Sequence, residues 1–149
     1  VFAGSLRTGA FSISTADAAM KELALQGADV TRISLGDYPL PIMDEDLEKD
    51  KGIPENAVKL GHQISAHDGL LIATPEYNGS IPPLLKNSID WVSRLRRDGS
   101  RSFRPLYGKP VALCSSSDRA HDALLTLYRS RYGQQVETVT TATVLANWT

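Results

Sequence analysis

Two short stretches hold residues whose types and spacing suit ligand chemistry better than packing. The first, Gly4-Ser5-Leu6-Arg7-Thr8-Gly9-Ala10-Phe11-Ser12, leaves the apolar Val1-Phe2-Ala3 and enters a segment of helical periodicity. It supplies small residues, hydroxyls and one fixed cation. N–H groups at a helix N-terminus have no intrahelical acceptor, the helix dipole favours an anion there, and Ser hydroxyls with an Arg fork add charge-assisted bonds to a phosphate. The stretch is neither a Walker loop nor a dinucleotide fingerprint, because Gly-Lys-Thr and the Gly-x-Gly-x-x-Gly spacing are both absent. A plainer reading is equally open from this loop alone: Ser5 and Ser12 as turn and N-cap residues, and Arg7 as a solvated charge. The second stretch, Pro75-Glu76-Tyr77-Asn78-Gly79-Ser80-Ile81-Pro82-Pro83, follows an apolar run and can hold a planar heterocycle. Gly79 lets the backbone approach a ring, Tyr77 offers a stacking face, and main-chain N–H and C=O groups can bond a polar ring edge. An Asn-Gly turn before a Pro-started helix accounts for Asn78, Gly79 and Pro82, but not for the whole string.

No side chain stands out as catalytic. Glu76 is the one carboxylate placed for proton work, yet beside a proline in a loop it suits a structural acceptor or an interface residue better. His62, His67 and His121 lack companions at metal-ligand spacing and read as exposed helix histidines, so no metal site is expected. Cys114 lies in an apolar run and reads as buried. Arg94, Arg96, Arg97, Arg101 and Arg104 form a basic segment that suits a solvated loop better than a receptor for a 2′-phosphate or an acidic partner.

The elements that must position these loops alternate in type. Ile13, Ala16, Met20, Leu23 and Ala24 recur at helical spacing and Gly27 stops them, while Asp29–Leu35 reads as a second strand. Pro54 opens a helix whose face is Ala57, Leu60, Gly61 and Ile64. Asp68–Thr74 is apolar at nearly every position, as a strand buried on both sides must be. Pro82 and Pro83 start a helix marked by Leu85, Ile89 and Val92. Val111–Ser115 is a fourth strand, Ala120 to Tyr128 a fourth helix, and Val136–Leu145, rich in Thr and Val, a fifth strand. The acidic run Asp44–Asp50 reads as a solvated loop. Such alternation predicts an α/β fold with a parallel sheet between helices, and in such sheets ligands sit beyond the carboxyl ends of the strands. In a flavodoxin-like, three-layer sandwich with five strands in the order 2-1-3-4-5, both candidate loops fall at the point where strand order reverses.

Composition agrees with a single domain over residues 1–149. At 42% hydrophobic and 22% charged, 149 residues fit one core, and no internal repeat interrupts them. With 16 basic against 17 acidic residues there is no global field for nucleic acid or anionic lipid. One cysteine allows no intrachain disulfide, and no apolar run reaches the length of a membrane span, so a soluble protein in a reducing cytoplasm is expected. The chain opens only three residues before Gly4, and residues are expected upstream to complete the first strand.

Gly4-Ser5-Leu6-Arg7 followed by Pro-Glu-Tyr-Asn-Gly-Ser-Ile-Pro-Pro-Leu-Leu-Lys-Asn-Ser-Ile-Asp-Trp (75–91) resembles the NADPH-dependent FMN reductase family from Val1 to about Ser117. The resemblance implies bound FMN, reduction by NADPH or NADH, and quinones, azo dyes, free flavin or metal oxyanions as acceptors. It implies that Ser5, Arg7 and Ser12 hold the FMN phosphate, that Pro75, Glu76, Tyr77, Asn78 and Gly79 line the isoalloxazine ring, and that Ser115 stands on the flavin's other side. A homodimer or homotetramer is implied as well, with Trp91 and Tyr107 as interface anchors if exposed, although Trp91 equally suits a core. Two departures stand out: Ala10-Phe11-Ser12 occupies the family's Ser-x-Asn, and Ser115-Ser116-Ser117 meets Asp118 without the usual Gly-rich loop, where further residues are expected. A non-enzymatic electron carrier and a flavin-free regulatory domain of the same fold are the alternatives.

Overall fold

The computed structural model describes residues 1–95, 105–106, 108–115 and 142–143. Their framework is a parallel sheet of β1 (Phe2–Ala3), β2 (Leu70–Ala73), β3 (Val111–Ser115) and β4 (Ala142–Thr143), paired in that order. Phe2 lies opposite Ile72, Ile72 opposite Leu113, and Cys114 opposite Ala142. Because alternate residues of a strand face opposite sides, this register sorts the apolar side chains into two sets.

Phe2, Leu70, Ile72 and Leu113 face one side and form a core with Leu60 and Ile64 of α3 (Glu55–Ser65) and Leu85 and Val92 of α4 (Pro83–Ser93). Ala3, Ala73 and Cys114 face the other side and pack with Ala16 of α1 (Phe11–Leu25). The small residues on that second face let α1 lie close to the sheet. Helices therefore cover both faces, and the near-continuous apolar sequence of β2 follows from being buried twice.

The helices end where their sequences say they should. α1 closes in a Schellman motif, Ala28 N donating to Leu23 O at 3.1 Å and Gly27 N to Ala24 O at 3.0 Å, with Gly27 at φ 87°. α3 follows Pro54 and buries Ala57, Leu60, Gly61 and Ile64, the face its periodicity predicts. α4 starts at Pro83, where a missing N–H costs nothing.

Two expectations are corrected. The acidic run Asp44–Asp50 is not a loop but belongs to helix α2 (Glu45–Lys51). Asp44 caps it by accepting from Asp46 N at 2.7 Å and Leu47 N at 3.2 Å. Its first turn carries Glu45, Asp46 and Glu48 and its last turn Lys49 and Lys51, each sign at the helix end that favours it. Asp29–Leu35 is not a full strand. Ile33 makes a single parallel bridge to Phe2, its N–H donating to Val1 O at 2.9 Å, and Leu35–Asp37 then closes a single 3-10 turn. Ser34 caps that turn by accepting from Gly36 N at 3.3 Å, which ends the extended run, and Arg32 pairs with Asp17 at 2.8 Å. The helix expected over Ala120 to Tyr128 lies outside the described residues, as does the expected Val136–Leu145 strand apart from β4.

Candidate functional site

Parallel strands bring the loops that follow them to one edge of the sheet, and two hydrogen bonds hold that edge together. Gly4 N donates to Ala73 O at 2.8 Å, and Thr74 N donates to Cys114 O at 2.9 Å. The chain thus leaves β1, β2 and β3 side by side, carrying Ser5, Pro75 and Ser115 away from the same edge. Gly4 is required here, since a Cβ on it would lie 2.5 Å from Thr74 Oγ1. Thr74 is fully buried and its hydroxyl donates to Pro75 O at 3.0 Å, fixing the root of the second loop. Sequence reasoning passed over Thr74; its signal was a hydroxyl closing an otherwise apolar strand.

The first loop folds tightly on itself. Ser5 is buried and its Oγ accepts from Arg7 N at 3.3 Å, Ala10 N donates to Arg7 O at 2.9 Å, and Gly9 takes φ 70°. The Arg7 side chain is left exposed. At the start of α1, Ala10 is the N-cap and has no side chain to bond the first turn. The N–H groups of Phe11 and Ser12 stand in that turn, where no intrahelical acceptor exists. Ser12 is 2% exposed, and its Oγ is a buried polar atom with no hydrogen-bond partner. Such a group carries a desolvation cost of about 1–3 kcal/mol unless something supplies a partner.

The second loop is a tight hairpin. Tyr77 N donates to Ser80 O at 2.8 Å and Ser80 N to Tyr77 O at 3.0 Å, around Asn78 at φ 53° and Gly79 at φ 77°. Two successive positive φ values make a type I′ turn, the conformation for which Asn-Gly is suited. The Gly79 N–H donates to the Glu76 carboxylate. Tyr77 is 45% exposed, Pro75 and Glu76 are half-buried, and Asn78 and Gly79 are exposed. Ser115, 2% exposed, ends β3 on the neighbouring strand.

The remaining candidates fall elsewhere. Trp91 is fully buried, its Nε1 donating to Pro41 O at 2.8 Å, so it serves the core and not an interface. Arg94 is committed to α2, 2.8 Å from Glu48 and 3.8 Å from Glu45. The hydrogen bond to Glu48 raises its guanidinium above the ordinary value. Tyr107 and the arginines at 96, 97, 101 and 104 lie outside the described residues, as does His121. His62 is exposed on α3. His67 is not an exposed helix histidine: it lies beyond α3, half-buried, with Nδ1 2.7 Å from Gln63 O and Nε2 2.7 Å from Thr31 Oγ1. Cys114 is buried, and burial pushes its thiol pKa up. Among the described residues no group of three or more His, Cys, Asp or Glu is placed to hold a metal ion. None of the described helices is long and apolar enough to cross a membrane.

A parallel sheet flanked by helices, with an uncapped helix N-terminus and an aromatic hairpin at its carboxyl edge, defines an open α/β protein, a class in which ligands sit beyond the strand ends. The chain matches the family model for NADPH-dependent FMN reductase over residues 1–144, and it belongs to that family. It is 41% identical over 115 residues to a quinone reductase of Escherichia coli (strain K12), covering 76% of this chain and 56% of that protein. It is 42% identical over 94 residues to a 2-hydroxy-1,4-benzoquinone reductase of a Burkholderia species, covering 63% and 49%. The chain therefore spans about half the length of these curated relatives. Among solved structures it is similar to the flavoenzyme NAD(P)H:(acceptor) oxidoreductase FerB of Paracoccus denitrificans, at 31% identity and a TM-score of 0.66. That likeness covers 85% of this chain and 65% of the other. An azoreductase of Bacillus anthracis, at 18% identity and a TM-score of 0.59 over 94% of this chain and 81% of that one, shares the fold.

Proposed function

We propose that this chain seats FMN and belongs to an oxidoreductase that moves hydride from NADPH or NADH to a small acceptor. The observation that carries the reading is the first turn of α1: an N-cap without a side-chain bond, and a buried Ser12 hydroxyl without a partner. A phosphate answers both, since it accepts from backbone N–H groups and hydroxyls and is favoured by the helix dipole. The residues present therefore fit the group.

In this reading Ser5, Arg7 and Ser12 hold the phosphate. Arg7, exposed and in no ion pair among the described residues, supplies the charge-assisted fork. Pro75, Glu76, Tyr77, Asn78 and Gly79 line the ring, and Ser115 approaches from β3. Bound FMN would supply the two-electron chemistry between NAD(P)H and an acceptor such as a quinone, an azo compound, free flavin or a metal oxyanion. What the chain contributes is placement: the Tyr77 face orients a planar group, and the hairpin backbone bonds its polar edge. No side chain is assigned a proton. Near-neutral net charge and a small-molecule acceptor leave nucleic acid and membrane outside the reading.

The finer features follow the same logic. We place the Ile33 segment as the second strand of the order 2-1-3-4-5, supported by its bridge to Phe2 on the edge of β1 away from β2. Residues 1–149 form a single flavodoxin-like domain, acting in the cytoplasm as part of a homodimer or homotetramer.

The test is an absorbance spectrum of the purified protein with added FMN, followed by anaerobic titration with NADPH. A flavin spectrum that bleaches supports the oxidoreductase. Bound flavin that does not bleach would point instead to an electron carrier, and no bound flavin to a flavin-free domain.

A further inference from the structure

The Tyr77–Ser80 turn is closed by its two backbone bonds, which involve neither central N–H group. Gly79 N–H and Asn78 C=O belong to one peptide group and must point in opposite directions. With glycine at one of its two positions, that peptide is the part of the hairpin with the widest backbone freedom. The Glu76 carboxylate takes the Gly79 N–H, so it holds this peptide in one orientation. Glu76 itself is rooted close to the sheet, two residues after Thr74, whose backbone and hydroxyl are both bonded. A rigid strand end, a half-buried carboxylate and the tip of the loop thus form one short linkage.

We propose that Glu76 is a positioning residue: its carboxylate fixes the 78–79 peptide so that the Asn78 carbonyl is presented outward as an acceptor and the Gly79 donor is withdrawn. The hairpin then selects a planar ligand that offers an N–H at its polar edge. This rests on the flavin reading above and extends it to the ring edge the hairpin meets. Only an oxygen acceptor at this position is needed, and no proton is transferred.

The test compares Glu76→Ala and Glu76→Gln with the unaltered chain, reading dissociation constants for FMN and riboflavin by fluorescence quenching and the visible spectrum of the bound flavin. Glu76→Ala is expected to weaken both ligands about five- to tenfold, the effect of losing one hydrogen bond to a charged group in a partly solvated loop. It should also shift the bound flavin's visible bands, because the ring loses a fixed neighbour. Glu76→Gln keeps an oxygen acceptor and is expected to stay within about twofold of the parent in affinity and band position. Glu76→Ala matching the parent in affinity and spectrum would overturn the proposal, and so would Glu76→Gln falling as far as Glu76→Ala. Failure of the unaltered chain to bind FMN would instead overturn the flavin reading itself. Far-ultraviolet circular dichroism and the melting temperature check that both variants fold.

Discussion

Ser12 is the residue at which structure and proposed chemistry meet. A buried hydroxyl without a partner is a cost in the ligand-free protein and an asset once an anion supplies one. Ser12→Ala is therefore expected to act in opposite directions. It should raise the stability of the ligand-free chain by about 1 kcal/mol, through the lost desolvation cost and better helix propensity. It should also weaken FMN binding several-fold. Denaturant unfolding without ligand and an FMN titration check the two signs; loss of stability in the ligand-free state would show that Ser12 has a structural partner. Cys114 gives a second residue-scale expectation. Burial raises its folded pKa above the unfolded one, so the folded state keeps a proton that the unfolded state sheds. The contribution is fully present below the unfolded value and is lost as pH rises toward the folded value. Stability should fall as pH rises above the ordinary thiol value, and less steeply in Cys114→Ala, as urea unfolding at a series of alkaline pH values would reveal. At this scale the sequence was informative about residue types but not about state. Nothing in Ala10-Phe11-Ser12 announces that the Ser12 hydroxyl is buried and alone, because that depends on α1 lying against the alanine face of the sheet.

The elements show why some segments were readable and others were not. α3 and α4 announce themselves by apolar residues at helical spacing behind a proline, and β2 by an unbroken apolar run, because both patterns follow directly from burial. α2 buries none of its residues, so hydrophobic periodicity is silent there. Its signals were at the ends: Asp44 before the run, acids then lysines along it, and Gly52 at φ 77° after it. Asp44→Ala removes two capping bonds and is expected to cost about 1 kcal/mol. It should also loosen Arg94, whose partners Glu45 and Glu48 sit on that helix. Hydrogen exchange over residues 45–51 would report the fraying, and unchanged protection there would contradict the cap assignment. The Asp29–Leu35 segment misled for a different reason. Its β-prone residues describe a strand, but Ser34 caps the Leu35–Asp37 turn and ends the extended run just after the Ile33 bridge.

For the whole molecule, the decisive fact is that three adjacent parallel strands end at one edge and are tied there by Gly4–Ala73 and Thr74–Cys114 hydrogen bonds. Sequence alternation predicted that edge, and it could nominate both loops because their composition exceeds what packing requires. It could not supply the close approach of Gly4 to Thr74, which brings the two loops together and arises only when β1 and β2 pair. The central claim is that one loop takes a phosphate and the other a ring, and the most direct measurement compares FMN with riboflavin, which lacks only the phosphate. Binding of both is measured to the unaltered chain and to Arg7→Ala. FMN is expected to bind at least tenfold more tightly than riboflavin, and Arg7→Ala to remove most of that difference while leaving riboflavin unaffected. Equal affinity for the two ligands, or an FMN preference that survives Arg7→Ala intact, would contradict it.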